Sequence, residues 1–226
     1  MVNPSVMLSF PHPGSVRTEF MMSVLAAMGG DSPVAQIDAY GTGPTLSKAR
    51  NEMARRFLAT SCEWLWMADA DMEFTARTLP ALLSAADPAS APVIGALCFA
   101  KDPGGGIFPV AYKSALDESG NLLFGRAKLV WHPDGKPVRV AATGTGCLLM
   151  HRSVFARIDE SCPQDRGLWF AEARLNPAAV DPRDKHCGED ISFCYRCGRA
   201  GIPVMVHSGV RAGHVKTVPL GGQPWP

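Results

Sequence analysis

The run Trp64-Leu65-Trp66-Met67-Ala68 carries no charged side chain and stops abruptly at Asp69-Ala70-Asp71. A strand that is apolar on both faces must be covered on both, as strands of a mostly parallel sheet are when helices pack above and below. Neighbouring segments repeat the pattern. Val6-Met7-Leu8-Ser9-Phe10 halts at Pro11-His12-Pro13-Gly14, Val34–Tyr40 is strand-like, and Pro92–Phe99 reads as another buried strand. Between them, Val16–Met28, Thr45–Leu58 and Thr75–Ala86 read as helices; in the second, Ala49, Met53 and Phe57 fall at i, i+4 and i+8. Strand alternating with helix predicts an α/β domain on a mostly parallel sheet flanked by helices.

Beyond residue 100 the punctuation changes. Pro103-Gly104-Gly105-Gly106, Ser119-Gly120-Asn121 and Pro133-Asp134-Gly135 are turn chemistry between short strand-like stretches, which predicts a small antiparallel addition over 101–137. Strand patterning returns over Arg139–Met150, followed by a short helix at Ser153–Ile158. A long Pro- and charge-rich loop is predicted over 161–187, then a helix at Glu189–Ala200 stopped by Gly201 and a strand at Pro203–His207. The organisation expected is one domain over 1–216 with a loose tail at 217–226.

With 46% hydrophobic and 19% charged residues, the 226-residue chain is predicted to fold rather than stay disordered. A net charge of +1 implies no broad footprint for nucleic acid or an anionic membrane. The Met1–Asn3 start has no basic leader, and no apolar run approaches the roughly 20 residues that span a bilayer, so a cytoplasmic protein with no membrane partner is expected. Seven cysteines, several inside apolar segments, are expected as buried free thiols.

Three segments could carry chemistry. A buried strand ending in Asp69-Ala70-Asp71 delivers two carboxylates to the sheet edge where α/β proteins bind ligands. Two acids so close repel unless a cation or proton lies between them. They suit Mg²⁺ or Mn²⁺ with phosphate filling the remaining positions, or else a solvated turn. Gly188-Glu189-Asp190 opens a helix, where carboxylates serve either chemistry or simple capping. Val210-Arg211-Ala212-Gly213-His214-Val215-Lys216 sets an imidazole among cations, a composition suited to phosphate.

In order along the chain, Ser9-Phe10-Pro11, Ala49-Arg50-Asn51, Asp69-Ala70-Asp71, Thr143-Gly144-Thr145-Gly146-Cys147-Leu148, Gly188-Glu189-Asp190 with Phe193, and Gly213-His214 resemble nucleotide-sugar glycosyltransferases of the GT-A fold. The likeness is to small family-2-like enzymes of the bacteriophage type and spans Val6 to Lys216. It implies a GT-A-type (Rossmann-like) α/β fold with a nucleotide-binding half over about 1–100 and an acceptor half over 101–216. It also implies a nucleoside-diphosphate sugar donor, a UDP-sugar foremost, with Mn²⁺ or Mg²⁺ as cofactor. The hydroxyl acceptor would be a virion protein, a glycan precursor or a hydroxymethylated DNA base, met in the host cytoplasm if the chain is phage-encoded.

Residue by residue, the resemblance assigns the Pro11 loop and Arg50 to the nucleotide, Asp69 to ribose or metal, and Asp71 and His214 to the metal. Arg211 or Lys216 would lie near the diphosphate, and Gly144, Thr145 and Gly146 would border sugar and acceptor. Asp190, with Glu189 beside it, would be the base of an inverting reaction. The first loop departs from the family, reading Pro-His-Pro-Gly where Pro-x-Tyr-Asn is common, so that motif does not set the nucleobase.

Other signals are weaker. Trp169-Phe170 would either stack on a sugar or acceptor or anchor the long loop to the core. Cys194-Tyr195-Arg196-Cys197 is a lone C-x-x-C without the second pair a zinc site usually needs, and Cys194 falls on an apolar helical face. Neither Gly41-Thr42-Gly43 nor Gly144-Thr145-Gly146 completes a dinucleotide fingerprint. Two rivals remain: a sugar-phosphate nucleotidyltransferase, which would be expected to carry a Gly-rich, Arg-containing loop after the first strand, and a nucleotide-sugar-binding module without turnover.

Overall fold

The computed structural model describes residues 4–43, 45–101, 104–116, 122–126, 135–174 and 186–216. The expected tail at 217–226, the turn at 119–121 and most of the turn at 133–135 lie outside the described residues.

The apolar run forms β3 (Trp64–Ala68), buried at all five positions. On one side it pairs in parallel with β1 (Val6–His12), which pairs in parallel with β2 (Val34–Gly41). On the other side β12 (Cys147–His151) runs antiparallel between β3 and β5 (Val93–Leu97). Beyond β5 lie β15 (Val204–Arg211), parallel to it, and β10 (Pro137–Val140), antiparallel to β15. The seven-stranded order β10-β15-β5-β12-β3-β1-β2 draws strands from both halves of the chain.

Period-two alternation sorts the strand side chains into two cores. Met7, Leu65 and Met67 join Met53 and Phe57 of α2 (Leu46–Leu58), Phe155 of α4 (Ser153–Ser161) and Phe193 of α5 (Glu189–Arg199). Leu8, Phe10, Trp64 and Trp66 turn the other way, onto Phe20 and Val24 of α1 (Thr18–Ala27) and Leu79 and Leu82 of α3 (Thr78–Ala85). Each such side chain contributes about 1.5–3 kcal/mol on burial. The α/β architecture with a mostly parallel sheet is therefore as the sequence predicts.

Several elements differ from expectation. The helix expected at 75–86 begins only at Thr78, because β4 (Met72–Glu73) and a turn come first, the Thr75 N–H donating to Thr78 Oγ1 at 3.1 Å. Pro80, which cannot donate, then falls in the first helical turn, where no donor is needed. The last strand runs on to Arg211, with an irregular register after His207. It leads into β16 (Gly213–His214), which pairs antiparallel with β4. The expected antiparallel addition comprises β6 (Phe99–Lys101) with β7 (Ile107–Pro109), and β8 (Ala111–Leu116) with β9 (Leu122–Arg126) and β11 (Ala142–Thr143).

Of the long loop expected over 161–187, residues 175–185 lie outside the described residues, and the part just after α4 is fastened to the core. A 3₁₀ turn at Pro163–Asp165 is followed by Trp169 and Phe170, both buried, and β13 (Ala173–Arg174) pairs with β14 (His186–Cys187). Asn51 grips Phe170 from both sides, donating to its carbonyl at 2.6 Å and accepting its N–H at 2.9 Å. Trp169 Nε1 donates to the Phe155 carbonyl at 3.1 Å, and Phe170 stacks on Phe193.

All seven cysteines are free thiols, and all but Cys187 are buried. Burial pushes the Cys194 thiol up to about 12 and raises Cys197 well above its ordinary value, so the C-x-x-C pair is core packing. Among the described residues, no helix is long and apolar enough to cross a membrane.

Candidate active site

Because β1 and β3 are parallel neighbours, the chain leaves both at the same edge of the sheet, bringing Pro11-His12 beside Asp69-Ala70-Asp71. The β4–β16 pairing then carries His214 across to the same edge: it lies opposite Met72, and the Val215 N–H donates to the Asp71 carbonyl at 2.8 Å. Residues 143 positions apart thus meet, with His214 Nε2 2.9 Å from Asp71 Oδ2. Lys216 Nζ donates to that same oxygen at 2.8 Å.

The other imidazole nitrogen, Nδ1, faces the Phe99 carbonyl at 3.1 Å. Both nitrogens therefore face acceptors, which requires an imidazolium or a cation at Nε2. The hydrogen bond to Asp71 accordingly raises the His214 pKa against the opposing effect of burial. Burial pushes Asp71 up, but the bonds from His214 and Lys216 outweigh it and hold the carboxyl well below its usual range.

Asp71 and His214 could supply two ligands of a divalent cation, on a carboxylate oxygen that also accepts from Lys216. Asp71 Oδ2 and His214 Nε2 lie at the spacing of adjacent ligands, about 3 Å for metal–ligand bonds of about 2.1 Å at right angles. The Nδ1 contact to a backbone carbonyl is the kind that fixes the tautomer of a metal-binding histidine. Among the described residues no group of three or more His, Cys, Asp or Glu side chains converges on one point. Phosphate oxygens and water would therefore have to supply the remaining positions.

Asp69 belongs to a second cluster. Its carboxylate accepts from Arg50 Nη2 at 3.1 Å, and Arg50 Nε lies 3.2 Å from Glu189 Oε1, an ion-pair contact without hydrogen-bond alignment. Arg50 is only 3% exposed, so a buried cation ties the end of β3 to the start of α5. Asp190, next along that helix, has its pKa raised by burial, with Arg50 lowering it and Glu189 and Asp69 raising it. Its Oδ1 accepts the Ile191 N–H at 2.7 Å.

The 144–146 turn lies against both carboxylates. A β-carbon at Gly144 would stand 3.6 Å from Asp190 Oδ2, and one at Gly146 3.6 Å from Asp69 Oδ2. Thr145 is buried between them, its hydroxyl unpartnered among the described residues.

A cavity of about 660 Å³ opens over the Asp71–His214–Lys216 cluster, lined also by Pro11, His12, Ser15, Arg17, Thr42 and Asp69. That volume is in the range of small-ligand sites. Of the predicted residues, Pro11, Asp69, Asp71, His214 and Lys216 line it. Arg50 and Gly146 adjoin Asp69, Glu189 adjoins Arg50 and Asp190 adjoins Gly144, none of them lining the cavity, and Arg211 is not on its wall. Trp169 is 4% exposed in the core, which answers the open question in favour of anchoring the loop. Sequence reading passed over Ser15 and Arg17 and set aside the Gly41-Thr42-Gly43 loop; the available signal was their position just after strands that end at this edge.

No protein-family model matches the sequence, and no curated protein matches it. Solved structures do match in three dimensions. A197 from STIV superposes at a TM-score of 0.54 with 14% identity, over 94% of this chain and 86% of that one. GalNAc-T7, solved with UDP, GalNAc and Mn²⁺, superposes at 0.61 with 13% identity, over 97% of this chain and 45% of that one. The fold is of the GT-A type. The chain spans a little under half the length of GalNAc-T7. CMP:2-keto-3-deoxy-manno-octonic acid synthetase complexed with CTP also superposes, at 0.47 with 13% identity, over 89% of this chain and 88% of that one.

Proposed function

We propose that the chain is a metal-assisted glycosyltransferase that moves a sugar from a nucleoside diphosphate, foremost a UDP-sugar, to a hydroxyl acceptor with inversion. The observation that carries this reading is the meeting of two clusters at one sheet edge. Asp71, His214 and Lys216 stand in the cavity, while Asp190 and Glu189 lie beyond the glycine turn that also borders Asp69. The ligands of the GT-A-fold GalNAc-T7, UDP, GalNAc and Mn²⁺, have the chemistry this reading assigns to the cavity.

In this reading Pro11, His12 and Thr42 form the wall against the nucleoside, and Arg17 and Lys216 place positive charge on the diphosphate. Asp71 and His214 would hold Mn²⁺ or Mg²⁺, with Asp69 beside them; when bound, the metal stabilises charge developing on the leaving diphosphate. Asp190 accepts the acceptor's hydroxyl proton on Oδ2, since Oδ1 is held by the Ile191 N–H. Its raised pKa makes it a stronger base than an ordinary carboxylate, and such a base contributes about 10²–10⁴-fold. Arg50 and Glu189 position that base from behind.

A thermal-shift panel of nucleoside diphosphates and UDP-sugars, with and without Mn²⁺, tests the reading. A ligand at a hundred times its dissociation constant adds about 2.7 kcal/mol, roughly 5–10 °C for a domain of this size. Asp71→Asn is expected to remove the metal-dependent part of the shift. Asp190→Asn is expected to keep the shift and lose sugar transfer. Absence of any nucleotide-dependent shift, or normal transfer by Asp190→Asn, would overturn the assignment.

A further inference from the structure

A second cavity, of about 610 Å³, shares no lining residue with the first. Its floor is apolar: Val140, Cys194, Ile202 and Val204 are each at most 8% exposed. Three exposed cations from three different elements stand on its walls, Lys113 on β8, Arg139 on β10 and Arg199 near the end of α5. No carboxylate lines it among the described residues. Tyr195, one turn earlier on the same helix, also lines the cavity beside Arg199.

Apolar walls with a few converging polar groups are the usual composition of a small-molecule site. Three like charges around one opening repel one another, and a bound anion would relieve that repulsion. Guanidinium groups, moreover, suit oxyanion heads through paired N–H donors.

The geometry points to a second ligand site here, for a small amphiphile with an apolar body and an anionic head, a phosphate or a carboxylate. Along α5 the lining runs from Cys194 to Arg199, about 6 to 14 Å from Asp190 along the axis at 1.5 Å per residue. Cys194 backs it and exchanges contacts at 3.5 Å with the Thr143 backbone, one residue before the glycine turn. The inference goes beyond the transferase reading and does not depend on it.

The test uses the full chain and the anionic aromatic probe 8-anilinonaphthalene-1-sulfonate. Saturable fluorescence with one probe per chain is expected, displaced by octyl phosphate or octanoate and not by neutral octyl glucoside or by UDP with Mn²⁺. Displacement by octyl phosphate alone assigns a phosphate head; displacement by both assigns any small oxyanion. The double substitution Arg139→Gln/Arg199→Gln, at exposed positions outside the core, is expected to weaken probe binding at least about tenfold, the scale of a lost charged hydrogen bond. Lys113→Glu is expected to weaken it in the same direction. Unchanged affinity in both variants, equal displacement by octyl glucoside, or displacement by UDP would overturn the site. None of these readouts involves sugar transfer, so failure here is distinguishable from failure of the proposed function.

Discussion

Replacing Arg50 by Met keeps an unbranched apolar stem out to the ε position and removes the guanidinium. In the structure that group is 3.1 Å from Asp69 and 3.2 Å from Glu189, in a residue 3% exposed. Two unit charges about 4 Å apart attract by about 4 kcal/mol at an effective dielectric of 20. Breaking a buried pair by deleting one partner costs about 3–5 kcal/mol, because the surviving charge stays desolvated. Here the survivors are not equally trapped: the Asp69 side chain is 30% exposed and Glu189 15%, so water can recover part of the loss. The low end, about 3 kcal/mol, is therefore expected. For a chain of this size that lowers Tm by about 6–12 °C. Differential scanning fluorimetry on the metal-free protein measures it, with urea denaturation to give the free energy. Arg50→Lys keeps the charge without the two-directional fork and should fall between parent and Met. A loss of less than 2 °C on Arg50→Met, or full recovery with Lys, would refute the claim that this guanidinium ties β3 to α5.

Further outcomes follow from the same geometry. With the Asp190 pKa raised by burial, the acid limb of kcat/KM is expected above the ordinary carboxylate range, and Arg50→Met should move it higher still by removing the cation that lowers it; a pH–rate profile checks both. The Asp71–His214 pair should stabilise the metal-free protein within a window. The Asp71 contribution is present above its unfolded pKa, near 4, and is lost as pH falls through its lowered folded value. The His214 contribution is full below its unfolded pKa, near 6.5, and is lost as pH rises through its raised folded value. His214→Ala should therefore lower Tm more at pH 5 than at pH 8.5 in EDTA, and an equal loss at both would count against the pairing. At Gly209 a β-carbon would lie 2.8 Å from the Gly135 α-carbon, a backbone atom that cannot swing aside. Gly209→Ala should destabilise by about 1–3 kcal/mol in urea melts, whatever happens to ligand binding.

How far the site was legible in the sequence depends on the range of the interactions that build it. Asp69 and Asp71 could be placed at the sheet edge that carries the cavity because a fully apolar strand leads directly into them, a local signal. Glu189 and Asp190 could be placed at a helix start for the same reason. The partnerships were not legible. Nothing local says that Asp69 turns to Arg50 while Asp71 turns to His214 and Lys216, since those choices depend on where α2 and β16 arrive. Asn51 is the clearest case: it sits beside Arg50 in sequence, yet its side chain fastens a loop 119 residues away.

The alternation of apolar runs with amphipathic helices was enough to determine the α/β class, because side-chain periodicity and burial on both sheet faces are properties of short segments. Strand order, the antiparallel insertion of β12, and the crossing of β16 onto β4 were decided only by tertiary packing. Those contacts join segments far apart in the chain, and their free energy exists only once both partners have been brought together.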